Sequence, residues 1–223
     1  IRVGFHFLKN ETGILHIMLT MAVLNFFSRL TYENILSPMI LSRSSSNNVV
    51  LGIVNACMGI GGIIGGLLVS VKKESRKKAN VIYISAAISF LLGDLTMAIG
   101  RNVFFWSFAA FAASLPIPFI TAEQNVILYK KIPEKIQGRV FAVRNAVQYS
   151  TIPLGILLGG YLADYIFEPF MRSDTDIVSL LEILVGNGAG SGMAVMFLCT
   201  GVCGFAMSIL SLYSKKIQEL NNC

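Results

Sequence analysis

The sequence predicts an all-helical membrane protein that crosses the bilayer six times, and three observations carry that prediction. Hydrophobic residues make up 54% of the chain and charged residues only 13%, against about 25% charged in ordinary soluble proteins. The remaining charges stand in short clusters between apolar runs of about 20 residues, the length that spans a hydrocarbon core about 30 Å thick. Glycine and proline recur inside those runs. In water they weaken a long helix, whereas in lipid the backbone must stay hydrogen-bonded and small residues let helices approach closely. Mean hydropathy is +0.68. The net charge of +6 lies mainly between the runs, where topology explains it better than nucleic acid does.

Span 1 is predicted at 14–41, after a partly polar lead with Arg2, His6, Lys9 and Glu11; Arg29, Glu33 and Pro38 interrupt its second half. A polar turn at 42–48 leads to span 2, 49–71, which holds five glycines between Gly59 and Gly66 and stops at the basic run 72–78. Span 3 is 80–99, and the turn Gly100-Arg101-Asn102 opens span 4, 103–128, with Pro116 and Pro118 inside. A charged loop at 132–139 precedes span 5, 140–165, which is about 39 Å long at 1.5 Å per residue. Pro153, Gly155, Gly159 and Gly160 break its surface, and Asp164, Glu168 and Pro169 lead into an acidic loop from 167 to about 187. Span 6, 188–213, is closed by Lys215 and Lys216.

Six spans put both ends on one side. Fourteen of the 18 Lys and Arg, among them Arg2, Lys72, Lys78, Lys131, Arg139, Arg144 and Lys216, fall on that side; Arg29, Arg43, Arg101 and Arg172 fall on or near the other. The positive-inside rule places both termini in the cytoplasm. Ile1 rather than Met opens the chain and no leader with a cleavage site precedes the first span, so it reads as a fragment or a processed piece. Cys57, Cys199 and Cys203 lie in apolar runs and Cys223 ends the chain; packing accounts for them better than a disulfide or a metal does. Spans 1 and 4 carry proline late, and spans 2 and 5 are the Gly-rich pair. Three plus three, in inverted orientation, is the plan that produces this relationship.

The segments Ile132-Pro133-Glu134, Gln137-Gly138-Arg139-Val140-Phe141, Pro153-Leu154-Gly155, Gly159-Gly160, Leu162-Ala163-Asp164-Tyr165 and Phe167-Glu168-Pro169, with the glycine run Gly186 to Gly192, resemble the last third of macrolide-efflux-type transporters of the major facilitator superfamily. The resemblance implies the carboxy-terminal six-helix half of a twelve-helix fold, with an inverted 3+3 repeat and with the amino-terminal half, its partner, absent. It also implies efflux of amphipathic small molecules from a plasma membrane, driven by proton exchange. Gly65, Gly66, Arg76, Lys77 and Lys78 match that superfamily's loop after the second span of each half, but Ser70 stands where an Asp is expected. The missing acid puts a cytoplasmic latch there in doubt.

Ionisable residues inside spans are expensive and mark functional candidates. Asp94 lies about 21 Å from the edge of span 3, the acid least able to reach water. It either lines a central cavity or couples to protons, or else it is a structural partner for another helix. Arg29 and Glu33, one turn apart, are an intrahelical pair at the outer boundary or a substrate contact. Glu123, with Gln124 and Asn125, marks an inner mouth or the headgroup level. Asn25 and Gln148 either hydrogen-bond a passing substrate or join two helices. Gly61 with Gly65, Gly62 with Gly66, and Gly155 with Gly159 have the spacing that brings helix backbones together and permits rocking, and Pro153 and Gly160 extend that surface.

The run Gly186, Gly188, Gly190, Gly192 fails as a dinucleotide loop, since Ser191 occupies its last glycine position and no soluble strand precedes it. His6 and His16 receive no role. Ser, His and acids are scattered over different depths, so the reading is a non-enzyme without cofactor or metal. The alternatives are the six-span membrane domain of an ATP-driven exporter, or a non-transporting assembly partner.

Overall fold

The computed structural model describes residues 7–9, 11–73 and 75–221; Arg2, His6, Glu74 and Cys223 lie outside them. Among the described residues every regular element is a helix. Six are long and apolar enough to cross a membrane: Thr12–Arg43, Asn48–Val71, Lys78–Ile99, Val103–Lys131, Glu134–Phe170 and Ser191–Leu212. These are spans 1 to 6. Asn47 and Asn102 cap spans 2 and 4, their side-chain oxygens accepting from Val49 N (3.0 Å) and Phe105 N (3.1 Å); such caps satisfy first-turn N–H groups that no helix can bond internally.

Two predicted loops are helical. The charges of 132–139 predict an irregular segment, but the helix begins at Glu134, directly after Pro133. Ile136, Val140, Val143 and Val147 recur at helical spacing and pack against Leu128 and Ile132, so one apolar stripe outweighs the Lys and Arg on the other faces. The acidic loop contains the helix Asp176–Val185, capped by Thr175, whose Oγ1 accepts from Val178 N at 3.4 Å. The glycines after it are explained by backbone shape: Gly186, Gly188 and Gly190 have φ of 84°, 91° and 83°, where a side chain is strained.

Span 1 is interrupted between Thr31 and Leu36, and span 4 between Ser114 and Ile117 at Pro116. Span 5 breaks at Ser150, and Pro153 falls in the first turn of the segment that follows, where its missing N–H costs nothing. Span 2 packs on span 4 as span 5 packs on span 1; span 3 meets span 4 as span 6 meets span 1; spans 3 and 6 meet each other. Exchanging spans 1–3 with 4–6 maps this set of contacts onto itself.

One apolar core joins the ends of the spans away from the basic loops, around Met39, Met97, Trp106, Val185 and Phe197. The basic end holds two smaller cores, around Ile82 and Tyr83, and around Ile14, Leu128 and Val140. Cys199 and Cys203, expected to pack inside, are both exposed on span 6.

Candidate functional site

Between the cores lies a cavity of about 470 Å³ walled by spans 1 to 5. Span 1 supplies Met21, Leu24, Asn25, Ser28, Arg29, Tyr32 and Glu33; span 3 supplies Ser89, Phe90 and Asp94; spans 4 and 5 supply Thr121, Gln124, Arg144, Gln148 and Tyr149. Polar side chains from four spans thus converge on one hollow among apolar ones, the pattern of a small-molecule pocket.

Asp94 forms the deepest part of the wall and is 1% exposed. It ends a π-helical turn, Ser89–Asp94, a widened turn that commonly marks function. Thr200 of span 6 donates to Asp94 Oδ2 at 2.8 Å, and the Tyr32 hydroxyl lies beside the same carboxyl. Gly201 makes the room, since a Cβ there would stand 3.0 Å from the Cβ of Asp94. Ser89 Oγ donates to Ala113 O at 2.7 Å and ties the wide turn to span 4.

Arg29 and Glu33 form an i,i+4 ion pair on the cavity wall, and Asn25 lies one turn earlier on the same face. The pair therefore belongs to the cavity as well as to its own helix. Gln148 donates to Gln124 Oε1 at 3.4 Å, so both amides join helices and line the cavity together. Glu123 points elsewhere. It takes Lys72 Nζ at 2.9 Å, with that ammonium 5.4 Å above the Phe119 ring, and it holds the end of span 2 to span 4.

Gly61 and Gly65 sit against Phe111, Ser114 and Leu115 of span 4, and Gly155 and Gly159 against Arg29 and Leu30 of span 1. Gly160 faces the Asn34 amide, which donates to Ile156 O at 3.1 Å. Gly62 and Gly66, expected to form a second packing pair, face open space: a Cβ added at either would meet nothing within 4 Å.

Several cavity residues, Arg144, Tyr32 and Ser89 among them, escape a reading of the sequence. Arg144 lies inside the predicted span 140–165 but is counted there only as one of the cytoplasmic-side cations; it donates to Asn125 Oδ1 at 2.5 Å and Asn145 Oδ1 at 3.0 Å, stacked 4.8 Å from the Phe141 ring. Its spacing of four from Gln148 places it on the cavity face. Tyr32 and Ser89 carry no such signal, being uncharged residues in apolar runs.

The chain is similar to macrolide efflux protein A of Streptococcus pyogenes, 28% identical over 138 residues that make up 60% of this chain and 33% of that protein. It is also similar to the multidrug efflux pump Tap of Mycolicibacterium fortuitum, 26% identical over 126 residues, 51% of this chain and 28% of that one. These are distant homologies to drug-efflux proteins, in agreement with the resemblance carried by the motifs of span 5. The chain spans about a third of the length of the curated relatives it matches. No family model and no solved structure matches it.

Proposed function

We propose that this multi-pass membrane chain is one six-span half of a secondary exporter for amphipathic small molecules, working by alternating access against a second half of like size. The observation that carries the reading is the cavity: a hollow across spans 1 to 5 in which a buried carboxylate, two arginines and several amides and hydroxyls stand among apolar side chains. A substrate with apolar bulk and a few polar groups matches that lining. The names of the relatives favour drugs, macrolides among them, as cargo.

In this reading Asp94 takes up and releases the coupling proton, Thr200 holds its carboxyl, and Arg29, Glu33, Asn25 and Gln148 contact cargo. The packed glycines of spans 2 and 5 are the surfaces on which the helices rock. Both termini lie in the cytoplasm of a bacterial-type plasma membrane, as the basic loops favour.

A susceptibility panel on cells expressing the full gene tests the function: a raised inhibitory concentration for macrolides or other amphipathic drugs is expected, and no change for any compound would overturn it. Asp94→Asn should lower proton-driven efflux with insertion intact; unchanged efflux would leave Asp94 a packing residue. A reporter fused after Lys77 should read cytoplasmic and one at Asp174 external. Swapped signals would reverse the topology.

A further inference from the structure

The helix Asp176–Val185 joins spans 5 and 6 and belongs to neither. Ten residues cover about 15 Å, half the thickness of a hydrocarbon core. Arginines from two other turns fix its position. Arg43, at the end of span 1, donates from Nη1 to Gly100 O at 3.2 Å and from Nη2 to Val185 O. Arg101, in the turn between spans 3 and 4, donates from Nη2 to Ile183 O at 2.9 Å and to Glu182 O at 3.5 Å. The carbonyls of a helix's last turn have no partner inside the helix, and a cation there also meets the negative end of its dipole. The clamp therefore satisfies groups that a low-dielectric setting would leave costly, and it holds the helix at the level where spans 1 and 3 end.

Around the helix three arcs differ. Val178 and Val185 are buried in the outer core, with Leu181 packed beside them. Ser179 and Glu182 form a polar arc, with Asp176 on its border at the helix start. Ile177, Leu180 and Leu184 project away from the protein on the third arc at 64%, 63% and 47% exposure, while Ile183, at 73%, falls between Asp176 and Ser179. The helix rests on the start of span 6 and the end of span 3, and none of its residues lines the cavity. Exposed Phe104 and Phe105 beside the Arg101 turn, and Ile99 at the end of span 3, extend it into the apolar surface of the spans.

We infer that the 176–185 helix is an interfacial element lying in the plane of the leaflet in which spans 1, 3 and 5 end. Ile177, Leu180 and Leu184 sink among acyl chains and Asp176, Ser179 and Glu182 turn to water. Helices of this kind seat about 5–10 Å into the boundary between headgroups and chains. The inference rests on the spans being in a bilayer and is independent of what is transported.

The test uses the complete protein with its cysteines replaced by serine, reconstituted in phosphatidylcholine–phosphatidylglycerol vesicles, with single nitroxide-labelled cysteines at 176, 177, 179, 180 and 184. A label at Val202, an exposed residue within span 6, is the bilayer reference. Oxygen should reach 177, 180 and 184 several-fold more readily, relative to a water-soluble nickel chelate, than it reaches 176 and 179. Nickel access at 180 equal to that at 179, with Val202 still shielded, would overturn the inference alone. Nickel access at Val202 as well would overturn the membrane reading beneath it. Exclusion of both reagents at 180 would mean that protein covers the face, and would also overturn it.

A second, label-free arm compares Leu180→Trp with Ser179→Trp. Brominated lipid should quench the first several-fold more than the second, against the constant background of Trp106, which is buried; equal quenching would again sink the inference.

Discussion

Spans 2 and 5 are the two Gly-rich helices, and they use their glycines differently. In span 2, Gly61 and Gly65 press on span 4 at Phe111, Ser114 and Leu115, while Gly62 and Gly66 look onto open space. In span 5, Gly155 and Gly159 press on span 1 at Arg29 and Leu30, beside a side chain that lines the cavity. The same four-residue spacing therefore brings each helix against a residue of the cavity wall, Ser114 in one case and Arg29 in the other, and the difference is that Arg29 carries the charge paired with Glu33. Span 2 adds an ionic clasp, Lys72 to Glu123, and span 5 adds the Asn34 bond to Ile156 O.

Substitutions grade this contrast. Gly65→Leu should have the largest effect, because the new side chain meets the Leu115 carbonyl and the Pro118 ring, and backbone cannot step aside as a flexible side chain can. A loss of about 3 kcal/mol or more is expected, read as a collapse of folded yield and melting temperature in detergent. Gly155→Val should cost less, about 1–3 kcal/mol, yet depress efflux by the complete transporter more than its stability loss explains, since it displaces Arg29. Efflux falling only in step with folded protein would erase the distinction between the helices. Lys72→Ala leaves Glu123 without its cation, but the lysine is partly exposed, with side-chain exposure of 30%, so about 1 kcal/mol is expected, and restoration by Lys72→Arg would tie the loss to charge. Gly62→Ala and Gly66→Ala should be neutral or gain up to about 1 kcal/mol from helix propensity. A loss there would reveal a partner for that face.

The spans are legible because hydrophobicity and length alone define them. What the sequence hides is amphipathic rather than apolar. The stripe Ile136, Val140, Val143, Val147 is diluted by Lys135, Arg139 and Arg144, so a reading by charge makes 132–139 a loop and counts Arg144, inside the predicted span, with the cytoplasmic-side cations. The 176–185 helix is hidden by the acids around it. For the glycines, spacing yields the candidate pairs but not which face each turns, since Gly61 and Gly62 differ only by about 100° of rotation. Asp94 stands out because a lone acid among Phe90, Leu91, Leu92 and Leu95 has no bland explanation in composition, whereas Tyr32 and Thr200 beside it are ordinary residues until the third dimension brings them together.

The widened turn at Ser89–Asp94 has a consequence for how this chain tolerates insertions and deletions. Such a turn accommodates a surplus residue. Removing one leucine, Leu91 or Leu92, would let the segment relax to ordinary α-geometry with the helix on either side still in register. The change would be local, closing the wide turn that Ser89 ties to Ala113 O. A single-codon deletion in that stretch should therefore be far better tolerated than one in the regular helix on either side, where about 100° of phase would be lost.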